Sequence, residues 1–277
     1  MKKPKIRPLF KKGDRQDMQN YRQISILSVL SKILEKLMYN RLLSFLKKHN
    51  VLTNMQHGFK DDKSTETTSH LFIKSVQEAL DRHLHVVGIF LDLSKVYSVT
   101  NHNILVDKLD SYGVRGSSNM WFKSYLTNRT QFVEISQTER SNRNQHRFQS
   151  SPTVIAQGES QGSILGPLLF LVHINDLPFN IQEAKLDLYA DDTNIPAVDK
   201  NNEALQARLS SVMKQLEVWF FNNDLVVNTT NTVAMSFHLC QSKPTYKQRI
   251  LLRNSKIFRS VYHGKFKLAS SYLFSVS

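Results

Sequence analysis

Apolar residues recur at helical spacing from Ser28 to about Asn50: Leu30, Ile33, Leu34, Leu37, Met38, Leu42, Phe45 and Leu46. With Ser28 placed to cap its start, this pattern predicts a long amphipathic helix. A polar break at 58–65 leads to a second helix near 67–82, with Leu71, Phe72, Val76 and Leu80 on one face. Val86 to Leu91 is apolar without alternation, the pattern of a strand covered on both faces, and it runs into Asp92. Helices follow near 101–111 and 118–126, then strands at 131–135 and 148–156 around a polar loop. Gln161-Gly162-Ser163 opens a strongly apolar helix to about Asp176. Leu186 to Ala190 and Thr193 to Ala197 form the arms of a hairpin. Asn202 to Asn222 is amphipathic, and Val233 to Phe237 is a final strand. Residues 1–24 read as extended and turn-rich; beyond Lys243 no periodicity emerges. This mixed order predicts an α+β fold with carboxylates at strand ends.

Composition changes the picture mainly through charge. The net charge is +14, but residues 17–240 balance to zero. Residues 1–16 carry seven Lys/Arg against Asp14, and residues 241–277 carry eight Lys/Arg with no acid. Basic ends on a neutral body fit polyanion contact, nucleic acid most simply, and fit solubilising tails as well. The single cysteine, Cys240, excludes an internal disulfide. No run approaches a membrane span, and the basic start lacks an apolar stretch after it, so neither a signal peptide nor a membrane is expected. A cytoplasmic or nuclear location follows as the expectation.

The sharpest chemistry lies at Tyr189-Ala190-Asp191-Asp192. Adjacent carboxylates resist joint ionisation and burial, and a divalent cation with hard oxygen ligands relieves both. A solvated turn accounts for the same residues, since Asp is common in turns. Asp92, 99 positions earlier, also ends an apolar strand. If the two strands are neighbours, three carboxylates converge as two-metal phosphoryl transfer requires.

Nine segments then occur in order: PLFKKGD (8–14), NYRQISILSVLSKILEKLMYNRL (20–42), HGFKDDKST (57–65), GIFLDLSKVYSVTNHNIL (88–105), YGVRG (112–116), WFKSYLTNR (121–129), QGSILGPLLFLVHINDLP (161–178), YADDT (189–193) and WFFNNDLVVN (219–228). Together they resemble the reverse transcriptase domain of non-LTR (LINE-type) retrotransposons. The resemblance implies a right-hand polymerase with fingers and palm, adding deoxynucleotides from their triphosphates to a DNA primer on an RNA template with two Mg²⁺ or Mn²⁺ ions. It implies that Asp92, the Leu93 carbonyl and Asp191 hold metal, with Asp192 completing the triad. Tyr97 falls at the family's steric gate against the ribose 2′-hydroxyl, Gln161 and Gly162 at the loop lining the nucleotide pocket, and Arg22 with Lys11-Lys12 at positions that neutralise the triphosphate. Residues 1–16 would start the fingers, 17–240 form the fingers–palm domain, and 241–277 a basic degenerate segment.

Departures accompany the matches. Ser98 stands where the family commonly has Asp, Gln23 where it has Pro, and Glu159-Ser160 where it has Val-Pro. Asn231 falls where the family carries a Lys resembling a general acid for pyrophosphate, and an amide cannot supply that proton. The expected thumb is missing or degenerate, and the match begins too near Met1 for an upstream endonuclease. A fragment of a longer polyprotein and a decayed, inactive copy that at most binds nucleic acid both fit.

Overall fold

The N-terminal stretch folds back on itself: β1 (Lys5–Phe10) pairs antiparallel with β2 (Tyr21–Ile26), Leu9 opposite Arg22. The computed structural model describes residues 3–60, 63–93, 100–138, 145–155, 157–158, 161–228 and 231–237. Along the chain there follow α1 (Val29–Lys48), α2 (Thr65–Asp81), β3 (His85–Leu91), α3 (His102–Ser111), α4 (Gly116–Leu126), β4 (Arg129–Thr138), β5 (Gln145–Gln149) and β6 (Thr153–Ile155). Then come α5 (Gly166–Ile174), α6 (Leu177–Asn180), β7 (Asp187–Tyr189), β8 (Asp192–Asp199), α7 (Asn202–Asn222) and β9 (Val233–Phe237). The mixture of helices and mostly antiparallel strands is the α+β class expected.

Two units partition these elements, Met1–Val51 with Tyr97–His173, and Leu52–Val96 with Ile174–Ser277. In the first, β1 pairs in parallel with β4, giving the order β2-β1-β4-β5, with β6 also on β4. The long strand expected over 148–156 is split into β5 and β6 around Ser150–Pro152, where proline has no N–H for a ladder. The helix expected from Gln161 starts only at Gly166. Ser163 Oγ accepts the N–H of Leu165 and of Gly166, both at 3.1 Å, so residues 161–165 act as its cap.

The first half of α1 reverses the face read from its leucines. Leu30, Ile33 and Leu37 are 68%, 53% and 56% exposed, whereas Glu35 is 2% exposed. A buried carboxylate is tolerated only when its oxygens are satisfied. Glu35 accepts from the Tyr125 hydroxyl at 2.7 Å, the Ser163 hydroxyl at 3.0 Å and the Ile164 N–H at 2.8 Å.

In the second unit four antiparallel strands take the order β7-β8-β3-β9. A reciprocal capping box at Ser64 and Thr67 starts α2. Its Phe72, Val76 and Ala79 cluster with Val86 and with Phe90, Val198 and Phe237. A Cβ at Gly88 would lie 2.7 Å from the Phe72 ring, so glycine lets α2 sit down on β3. The apolar face of α7 (Leu205, Leu209, Val212, Leu216, Trp219, Phe220) is buried, and this helix packs on β8 and β3. Among the described residues, no helix is long and apolar enough to cross a membrane.

Candidate active site

In the second unit, register places the carboxylates. β3 runs antiparallel to β8 with Leu91 opposite Thr193, so Asp92 emerges beside Asp192 at the same end of two neighbouring strands. The β7–β8 pairing ends at Tyr189 opposite Asp192, leaving Ala190 and Asp191 as the turn. Asp92, Tyr189, Asp192 and Asn231 share a cavity of about 310 Å³ with Thr65 and Thr68 of α2.

The electrostatics follow from this crowding. Burial raises the Asp191 carboxyl above its ordinary range, its own backbone N–H opposes that, and the Asp92 charge adds to the rise. Asp192 is raised first by burial, then by the charges of Asp191 and Asp92. Among the described residues, no Lys, Arg or His forms an ion pair with this group.

One oxygen of Asp92 is already occupied. Asn228 Nδ2 and Asn231 Nδ2 both donate to Oδ2, at 2.8 and 2.7 Å. The Asn228 N–H also donates to the Asp92 carbonyl at 2.7 Å, and Leu93 pairs with Val227 in an isolated bridge. Asn231, expected to stand at the general-acid position, is thus a donor to the carboxylate itself. Oδ1 of Asp92 accepts no hydrogen bond among the described residues.

These donors fit Mg²⁺ or Mn²⁺ in kind. Among the described residues no group of three or more His, Cys, Asp or Glu side chains is placed to hold a metal ion by itself. Mg²⁺ does not need one: it keeps water and is commonly held by one or two carboxylates with substrate phosphates. Mutually repelling Asp side chains lining an open cavity match that mode.

The turn is fixed from outside the hairpin. Residues 55–57 run along the edge of β7, with His57 N–H donating to the Leu188 carbonyl at 2.7 Å and Leu188 N–H to the Met55 carbonyl at 2.9 Å. Sequence reading passed over Gln56, which hydrogen-bonds Ala190, and assigned nothing to Asn228. The signals were faint: Gln56 adjoins one quoted segment and Asn228 ends another, but each gains a role only through partners 134 and 136 positions away.

The remaining site residues lie in the first unit. Arg22 is exposed on β2, and Lys11 is exposed just past β1, its N–H bonded to the Asn20 carbonyl at 2.8 Å. The Gln161 carbonyl accepts the Ser25 N–H at 2.7 Å. Gly162 has φ +117°, and a Cβ there would meet the Ser25 carbonyl at 2.7 Å, so glycine is required. This joins the Gln161–Gly162 loop to the strand that carries Arg22. Tyr97, Ser98, Glu159, Ser160 and the segment 241–277 lie outside the described residues.

Comparison with known proteins concerns the family and the fold. A family model described as reverse transcriptase (RNA-dependent DNA polymerase) matches residues 7–256. A probable RNA-directed DNA polymerase from transposon BS of Drosophila melanogaster is 32% identical over 241 residues, covering 82% of this chain and 24% of that protein. The RNA-directed DNA polymerase from mobile element jockey of the same species is 28% identical, covering 80% of this chain and 24% of that protein. The chain thus spans about a quarter of the length of these curated relatives. Among solved structures, apo telomerase from Candida tropicalis, truncated from its C-terminal domain, superposes with a TM-score of 0.56 at 14% identity, over 87% of this chain and 51% of that one. At that identity the likeness concerns the fold.

Proposed function

The chain belongs to the reverse transcriptase (RNA-dependent DNA polymerase) family, as a domain of non-LTR retrotransposon origin, and from that premise we propose that it extends a DNA primer on an RNA template. The observation that carries this reading is the placing of Asp92 beside Asp191-Asp192 at one end of neighbouring strands in the β7-β8-β3-β9 sheet.

In this reading the second unit is the palm. Asp92, the Leu93 carbonyl and Asp191 hold divalent cations, and Asp192 stands near the primer terminus. Bound cations supply a lowered pKa for the primer 3′-hydroxyl and charge stabilisation for the departing pyrophosphate. The first unit is the fingers. Arg22 grips phosphate oxygens in bidentate fashion and Lys11 adds a point charge against the triphosphate. The backbone at Gln161-Gly162 lies against the nucleotide, and Tyr97 excludes a ribose 2′-hydroxyl.

Primer extension on an RNA template tests the assignment. We expect incorporation that requires Mg²⁺ or Mn²⁺ and is abolished in Asp191→Asn. Undiminished extension by that variant overturns the role of the carboxylates. A second reading, binding of nucleic acid without extension, is favoured by Asn231, which hydrogen-bonds Asp92 where the family carries a Lys. Filter binding with retained affinity but no extension at any Mg²⁺ or Mn²⁺ concentration selects it.

A further inference from the structure

Ala190 separates Tyr189 from the Asp pair and sits at φ +54°, in the left-handed region that a residue with a Cβ disfavours. A turn held there by nothing else would relax and swing the following carboxylates to a new direction. What holds it is Gln56. Its side-chain amide is buried, 2% exposed, and both polar atoms are spent on this turn and its own segment. Oε1 accepts the Ala190 N–H at 2.9 Å and the Gly58 N–H at 2.7 Å, while Nε2 donates to the Ala190 carbonyl at 3.2 Å. One neutral amide thus grips both backbone polar groups of the strained residue, its oxygen accepting and its nitrogen donating. Gly58 permits the approach, since a Cβ there would lie 2.3 Å from the Ala190 nitrogen.

We propose that Gln56 is the positioning residue of the Tyr189–Asp192 turn: it holds Ala190 in the left-handed conformation and so sets the direction in which Asp191 and Asp192 meet a divalent cation. The proposal rests on the reading of these carboxylates as metal-holding. It differs from plain burial of a polar side chain in a checkable way. Glycine adopts positive φ freely, so Ala190→Gly relieves the need for the clamp and leaves a purely structural Gln56 as necessary as before.

The test is Mn²⁺ binding to the 277-residue chain without nucleic acid, followed by electron paramagnetic resonance, alongside hydrogen exchange of the Ala190 amide. Gln56→Met keeps length and removes both hydrogen-bonding atoms; Gln56→Glu keeps the acceptor and removes the donor. In Gln56→Met we expect Ala190 exchange at least about tenfold faster and Mn²⁺ affinity about 10–100-fold weaker, the usual effect of losing a group that orients a ligand. Adding Ala190→Gly to it restores part of that affinity. Where Gln56→Met does not fold, the same comparison is made with Gln56→Glu, for which weaker binding with the Ala190 amide still protected is expected. Binding that needs Asp191 but is within twofold of wild type in the Gln56 variants overturns the clamp and leaves the polymerase reading standing. Binding that Asp191→Asn leaves intact overturns the carboxylate reading, and the clamp with it.

Discussion

Asp191 and Asp192 carry a penalty in the metal-free fold that their surroundings make measurable. Burial and neighbouring negative charge raise both carboxyls, so the folded chain binds these protons more tightly than the unfolded chain does. Stability therefore falls as pH rises from the unfolded carboxylate range through the raised folded values, and the full penalty is present above them. In chelator at neutral pH, Asp191→Asn should melt on the order of 2 °C above wild type, with the difference vanishing near pH 3. Mg²⁺ or Mn²⁺ should then raise the wild-type melting temperature and leave the variant's nearly unchanged. A wild type that melts higher than the variant in chelator contradicts the origin given for the shifts. At the same scale, Asn231→Lys returns an ammonium donor beside Asp92; nucleotide addition followed by rapid quench should speed up by about 10²-fold if proton supply limits the rate.

Among the elements, α1 shows where sequence stops being legible. Its length, its Ser28 cap and the burial of Leu42 and Leu46 follow from periodicity. The inward turn of Glu35 does not, because it depends on Tyr125, Ser163 and Ile164, which are 90 to 129 positions away. No spacing rule reports a partner at that distance. The β7–β8 hairpin was legible for the opposite reason, since its arms and its turn are contiguous in sequence. Glu35→Ala strips an acceptor from two hydroxyls and one backbone N–H at once and should destabilise the fold by about 3 kcal/mol, read by urea unfolding. The same change loosens the cap that precedes α5, so mobility of the Gln161–Gly162 loop should rise with it. Gly162→Ala, which drives a Cβ toward the Ser25 carbonyl at positive φ, should cost about 1–3 kcal/mol. An unchanged unfolding midpoint in either variant contradicts these contacts.

Over the whole molecule, the neutral centre and basic ends make the proposed nucleic-acid contact separable from the proposed catalysis. Affinity for single-stranded nucleic acid should fall steeply with salt, with a log–log slope near −0.7 for each phosphate contact. Asp191→Asn should leave that slope unaltered. A salt-independent affinity contradicts the electrostatic origin. The division into two units was not legible, because each is assembled from two separate stretches of chain. Ordered motifs report the presence of such parts, not which stretches pack together.

The Gln56–Ala190 clamp also orders events in time. β7 and β8 are joined by a tight turn and can close on the microsecond scale. The residue that fixes that turn lies 134 positions upstream. At about 5–20 residues per second of synthesis, Gln56 is made roughly 7–27 s before its partner exists. For that interval the 55–58 segment has no β7 to lie against, and afterwards the hairpin must find it through a long closure. The carboxylate turn therefore takes its working shape only once the hairpin has found that segment. On the proposed reading, a cation that meets Asp191 and Asp192 before that docking meets them before they are aimed.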